Sequence, residues 1–109
     1  AAEGATRQLL EDVEPPTAVV AGQNLLTVGA VQALRAAGRQ HRVALVGFDD
    51  LPLAAAVDPG ITVVAQQPEL IGRRAAELLF ARIDGYAGPS RTVVVPTELL
   101  ARGSGELVA

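Results

Sequence analysis

Apolar and polar positions along this chain fall into blocks whose period changes several times, and each change marks an element. Between Glu3 and Val13, the residues Leu9, Leu10 and Val13 lie at helical spacing and are expected to face inward. Pro15 and Pro16 forbid continuation of that helix. Thr17–Ala21 is a compact β-branched and apolar run between Pro16 and Gly22, which predicts a strand buried on both faces and hence a parallel sheet. Asn24 is placed to cap a helix running to about Ala37, with Gly38 suited to the left-handed position beyond it. The small residues Gly29, Ala30, Ala33, Ala36 and Ala37 predict close approach along that helix.

Val43–Phe48 is again continuously apolar and completes a strand, helix, strand unit of the length needed for a parallel crossover. Asp50 is expected to cap a short helical turn with Pro52 in it, and Asp58-Pro59-Gly60 to close that segment. Ile61–Ala65 predicts a third strand. Pro68 then opens an amphipathic helix to about Asp84, with Ile71, Ala75, Leu78, Leu79 and Ile83 on one stripe. After Gly85 and Gly88-Pro89, the runs Thr92–Val95 and Thr97–Leu100 read as one strand broken by Pro96 or two short ones, at an edge or a crossing. The Gly-containing tail, 103–109, is expected to be mobile. The pattern as a whole gives an α/β chain with a parallel sheet in a three-layer arrangement.

Composition narrows the chemistry. Half of the 109 residues are hydrophobic, but there are only two Phe, one Tyr and no Trp or Met, so Ala, Val and Leu must form the core. The absence of Cys removes disulfides, thiolate metal sites and cysteine nucleophiles. A net charge of -3, without any run of basic residues, argues against a nucleic-acid face on this stretch. No apolar run approaches the roughly 18 residues of a membrane span, and no signal-peptide pattern opens the chain. No membrane association is expected.

Candidate chemistry concentrates at Val46-Gly47-Phe48-Asp49-Asp50, at the carboxyl end of the second strand, where open α/β sheets place ligand groups. Adjacent residues on extended chain point apart, so the two carboxylates do not suit a shared-proton dyad. Two readings stand beside each other. Asp49 faces a crevice while Asp50 caps the next turn, or both are turn and cap residues. His41 reads as a solvated loop residue next to Arg39 and Arg42. The glycines near Gly22 and Gly103 lack the spacing that wraps phosphate, and Glu98 with Arg102 would pair only on a helix. With no nucleophile, base or phosphate loop, no catalytic residue, metal site or cofactor is expected, and a small Rossmann-like enzyme is a poor fit.

Five strings, in order, carry a resemblance. They are Pro16-Thr17-Ala18-Val19-Val20-Ala21 with Gly29-Ala30; Leu45-Val46-Gly47-Phe48-Asp49-Asp50-Leu51-Pro52; Asp58-Pro59-Gly60-Ile61-Thr62-Val63-Val64-Ala65-Gln66; Ile71-Gly72 through Leu79; and Val95-Pro96-Thr97-Glu98-Leu99-Leu100-Ala101-Arg102-Gly103-Ser104. Together they resemble the effector-binding domain of the lactose-repressor (LacI/GalR) family of transcriptional regulators. The resemblance implies a periplasmic-binding-protein-like type I fold, with 1–109 as part of an effector-binding domain. On that reading 1–58 is the core of a C-terminal subdomain, 61–85 a crossover strand and helix of the N-terminal subdomain, and 92–102 a returning strand.

The resemblance also assigns Asp49 to a polar group of a sugar-like or purine-like effector, with Gln66 and Ile71 lining the same cleft. The family's amide pair falls on Gln23 and Asn24; Gln23 departs from the usual residue, and Asn24 keeps its reading as an N-cap. Gln66 has the alternative of a polar strand-end residue bonded to backbone. The implied protein is a cytoplasmic dimer that contacts DNA only through an N-terminal headpiece lying outside this sequence. The apolar stripe on the Pro68 helix would then lack its usual sheet, so the helix folds back or two copies exchange segment 67–84. A periplasmic sugar-binding protein of a transporter is the alternative with the same fold.

Overall fold

The computed structural model describes residues 1–108. Its elements are α1 (Ala2–Leu10), β1 (Ala18–Ala21), α2 (Asn24–Ala36), β2 (Ala44–Phe48), β3 (Thr62–Ala65), α3 (Pro68–Ile83) and β4 (Glu98–Leu100). The strands form one sheet in the order β1-β2-β3-β4, the first three parallel and β4 antiparallel to β3. The parallel sheet read from the sequence is therefore present. Two units divide the chain, residues 1–65 with 98–109, and residues 66–97. β3 hydrogen-bonds to β2 and belongs to the first unit's sheet, and the second unit begins at Gln66.

In the first unit α1, α2, β1 and the start of β2 together make one core cluster, Leu10, Ala21, Ala30, Leu34, Val43 and Leu45, with Val19 and Val31 against it. A second cluster gathers Ala54, Ile61 and Val63 with Leu51, Val57 and Leu100. Helix α1 stacks on α2 at the one place where a side chain is missing. A Cβ on Gly29 would lie 2.6 Å from the Ala2 Cβ and 2.7 Å from the Glu3 backbone nitrogen. Arg39 locks the pair, its guanidinium donating to the Leu10 carbonyl at 3.0 Å. Gly38 takes the left-handed conformation beyond α2 with φ of +67°.

Several expectations need correction. Helix α1 stops at Leu10 rather than Val13, and of the three residues expected inward only Leu10 is buried, Val13 being almost fully exposed. β1 is an edge strand with Val20 76% exposed, so it is not covered on both faces. An apolar run reports which residues tolerate burial, not whether a neighbouring strand is there to supply it. The stretch 92–95 forms no strand. Only Glu98–Leu100 pairs, with Ala65–Val63. Asn24 is the first residue of α2 and Gln23 occupies the capping position, although no Gln23 side-chain bond closes it.

The largest departure concerns the tail expected to be mobile over 103–109. Ser104 is buried and its hydroxyl donates to the Leu45 carbonyl at 2.6 Å while accepting the Thr62 N–H at 2.9 Å. The Ser104 amide donates to the Gly60 carbonyl at 2.9 Å, an approach so close that a Cβ on Gly60 would lie 2.8 Å from the Arg102 carbonyl oxygen. Thr62 is the centre of the arrangement. Its hydroxyl accepts from the Arg102 and Gly105 amides at 3.1 and 3.0 Å and donates to the Glu106 carboxylate at 2.7 Å. Residues 103–106 thus cover the sheet face opposite α2 over Val46 and Thr62, where a Cβ on Gly105 would already touch both side chains. Ala109 lies outside the described residues.

In the second unit, Pro68 sits in the first turn of α3, where its missing N–H costs nothing. None of the helix's residues is buried. The segment after α3 is held to it locally. Arg82 donates to the carbonyls of Gly88 and Tyr86 at 2.7 and 3.3 Å, and the guanidinium groups of Arg82 and Arg91 both lie over the Tyr86 ring, 4.8 and 4.0 Å from its centre. Gln67 donates to the Pro96 carbonyl at 2.9 Å.

Candidate functional site

The carboxyl ends of β1 and β2 lie side by side, with Ala21 opposite Gly47, so the loops that follow them open on one edge of the sheet. Gln23 and Asn24 stand two and three residues beyond Ala21; Asp49 and Asp50 follow directly on β2. The packing that allows this is specific, since a Cβ on Gly47 would sit 2.6 Å from the Thr27 hydroxyl oxygen. Thr27 is itself fully buried, and both its amide and its hydroxyl donate to the Gln23 carbonyl, at 2.9 and 3.0 Å. The start of α2 is thereby held beside the end of β2.

Asp49 has φ of +70°, a left-handed conformation that few non-glycine residues adopt, Asp and Asn more readily than others. Its amide donates to the Val64 carbonyl at 2.8 Å, which carries the β2–β3 pairing one residue past the strand. Asp49 is half-buried, whereas Gln23 is exposed and Asn24 half-buried. The Asn24 side-chain oxygen accepts the Leu25 amide at 2.8 Å.

Asp50 does accept the Leu51 amide at 2.9 Å, but its main partner is one that local sequence does not indicate. Both carboxylate oxygens receive the Arg102 guanidinium, at 2.8 and 3.0 Å, from 52 residues away. That hydrogen bond holds the Asp50 carboxyl below the usual carboxylate range and raises Arg102 above its ordinary value. Arg102 therefore pairs across the fold rather than with Glu98. No helical turn follows Asp50; Leu51–Ala56 makes successive turns, with Leu53 at φ of +65°.

In the second unit Gln66 and Ile71 line one groove with Arg74, Ala75, Leu78, Val93 and Val95. The structure thus brings these two expected site residues together, and separately places Gln23, Asn24 and Asp49 on one sheet edge. His41, read as solvated, is exposed and lies 3.3 Å from the still more exposed Asp58 carboxylate. A further cleft opens at the amino ends of β2 and β3, lined by residues that include Val31, Leu34, Gln40, Val57 and Pro59. It holds about 20 Å³, room for about one water, so it is no effector pocket. Among the described residues no group of three or more His, Cys, Asp or Glu is placed to hold a metal, and no helix is long and apolar enough to cross a membrane.

The chain is similar to known proteins over most of its length. The periplasmic binding protein-like domain family matches residues 1–105. The HTH-type transcriptional regulator CelR of Thermobifida fusca is 40% identical over 103 residues, 93% of this chain and 30% of the relative. The solved complex of the transcriptional regulator CelR with cellobiose superposes with a TM-score of 0.85 at 39% identity, covering 95% of this chain and 32% of the other. A LacI family regulator from Arthrobacter, in complex with lactose, gives 0.83 at 27% identity, with 97% and 41% covered. The chain spans between 26% and 30% of the length of such curated relatives.

Proposed function

Since the chain belongs to the periplasmic-binding-protein-like domain family as it occurs in LacI-type transcriptional regulators, we propose that it is part of an effector sensor whose ligand is a small sugar of the disaccharide class. The observation that carries this reading is the left-handed Asp49 at the carboxyl edge of the parallel strands, where a carboxylate can accept two hydroxyl hydrogen bonds at once. Two similar regulators were solved with cellobiose and with lactose, which favours the sugar over the purine alternative. Gln23, Asn24, Gln66 and Ile71 are proposed as further effector contacts. The transporter alternative is not retained, because the matched relatives are HTH-type regulators. We assign no reaction to the chain. The reading places the protein in the cytoplasm, contacting DNA through a headpiece outside this sequence.

Calorimetric titration of the protein that carries this chain with cellobiose, lactose and hypoxanthine tests the proposal. Binding of a disaccharide is expected, weakened about 10- to 100-fold by Asp49→Asn, the loss of charge-assisted hydrogen bonds. Unchanged sugar affinity in Asp49→Asn would remove Asp49 from the site, and a response to hypoxanthine alone would overturn the sugar class.

The same reading includes a homodimer. α3 buries none of its residues and leaves Leu79, Phe80 and Ile83 more than half exposed. We propose that two copies of the 109-residue chain exchange segment 67–84 to cover that stripe. Light scattering is expected to give twice the 11.2 kDa chain mass. A monomer at every concentration counts against exchange.

A further inference from the structure

We propose that Arg102 is a positioning residue for Asp49, acting through Asp50 to hold the left-handed turn in which the effector group sits. The inference rests on the reading of Asp49 given above. Four links make a closed circuit through β3. The Asp49 amide donates to the Val64 carbonyl at 2.8 Å. Asp50, the next residue, is gripped at both carboxylate oxygens by the Arg102 guanidinium. That guanidinium also donates to the Ile61 carbonyl at 3.2 Å, and the Arg102 amide donates to the Thr62 hydroxyl at 3.1 Å. Both sides of the Asp49 backbone are therefore referred to the same strand.

A residue at φ of +70° relaxes toward negative φ unless its neighbours prevent it. On its amino side Asp49 is fixed by the sheet. On its carboxyl side the Asp50 side chain supplies a restraint, and a planar guanidinium with two parallel donors fixes both the position and the rotation of a carboxylate. Lysine supplies one point contact and leaves that rotation free. An exposed ion pair adds little to global stability, and the Asp50 side chain is 43% exposed. The pair's effect is accordingly local, on the shape of one turn.

Residue-resolved amide exchange on the 109-residue chain separates this from a merely structural role. In Arg102→Gln the Asp49 amide is expected to exchange at least about tenfold faster, while Val46 and Phe48 in β2 keep their protection. Arg102→Lys should restore part of the difference. Should Arg102→Gln fail to fold, Asp50→Asn removes the same restraint from an exposed position and is expected to show the same local change. Unaltered protection at Asp49 in Asp50→Asn, or a uniform loss across all strands, would overturn the proposal. The two readings fail separately. If the clamp variants free the Asp49 amide but Asp49→Asn binds sugar normally, the positioning stands and the effector assignment falls. If Asp49→Asn loses sugar and the Asp49 amide is indifferent to Arg102, the reverse holds.

Discussion

Thr62→Val is expected to lower the stability of the first unit by about 3 kcal/mol, although the replacement is nearly the same shape and Thr62 lies in a strand. The hydroxyl accepts two backbone amides and donates to one carboxylate. Valine removes all three partners without adding any. The Arg102 and Gly105 amides are then partly buried with no acceptor, and Glu106 loses a charge-assisted bond whose other partner, the Gly103 amide, is exposed. Each unsatisfied buried donor costs about 1–3 kcal/mol. Urea denaturation measures the effect. With a slope of about 1–3 kcal/mol per molar for a small domain, the midpoint should fall by about 1–3 M. Thr62→Ser, which keeps the hydroxyl, should recover most of the loss. Equal midpoints for the valine and threonine proteins would mean that the 103–106 turn contributes nothing.

Gly29→Leu is the second large effect. Leucine is a better helix former than glycine by somewhat less than the roughly 0.8–1 kcal/mol that separates glycine from alanine, so propensity alone predicts stabilisation. The contact with α1 predicts the opposite, and its magnitude decides. The new Cβ would meet both the Ala2 side chain and the Glu3 backbone nitrogen below 3 Å, and backbone cannot rotate away. Helix α1 must move as a body, which strips cover from Leu10 and breaks the Arg39 bond to its carbonyl. Overpacking of this kind costs about 1–3 kcal/mol and loss of the Leu10 contacts adds to it. The melting temperature is expected to fall by at least about 8 °C in a domain this size. Limited trypsin digestion should cut first at Arg7, within the displaced helix. A melting temperature at or above that of the parent chain would show that α1 does not pack where the structure has it.

How much of the fold is legible in the sequence follows from the range of each interaction. The β1-α2-β2 unit is legible because its signals are local: apolar runs for the strands, a periodic stripe between them, and Gly38 at the turn. Pro68 marks the start of α3 for the same reason. Edge position is not legible, because the run around Val20 would read the same with or without a further strand beside it. The 92–95 run, rich in β-branched residues, reads as a strand by propensity, but a strand needs a partner and propensity does not supply one.

The tail reads as mobile because glycine and serine are common in mobile segments. Here Ser104 finds its partners 59 and 42 residues away, at Leu45 and Thr62. Asp50 and Arg102 lie 52 residues apart, so neither residue's neighbours announce the pair. At the candidate site, the position of Asp49 at a strand's carboxyl end can be read from the sequence. Its left-handed backbone cannot, and neither can the arginine that we propose holds it.

The dependence of β2 and β3 on Ser104 bears on how the unit comes together as the chain is made. β1, β2 and β3 are all synthesised before residue 66, yet the Leu45 carbonyl and the Thr62 amide and hydroxyl take their partners from residues 102–106. While residues 1–65 have been made and 102–106 have not, three strands stand with one face uncovered and those polar groups still bonded to water. Closure of that face waits for the passage of α3 and the segment after it, so β2 and β3 are completed by residues made about 40 positions later than β3.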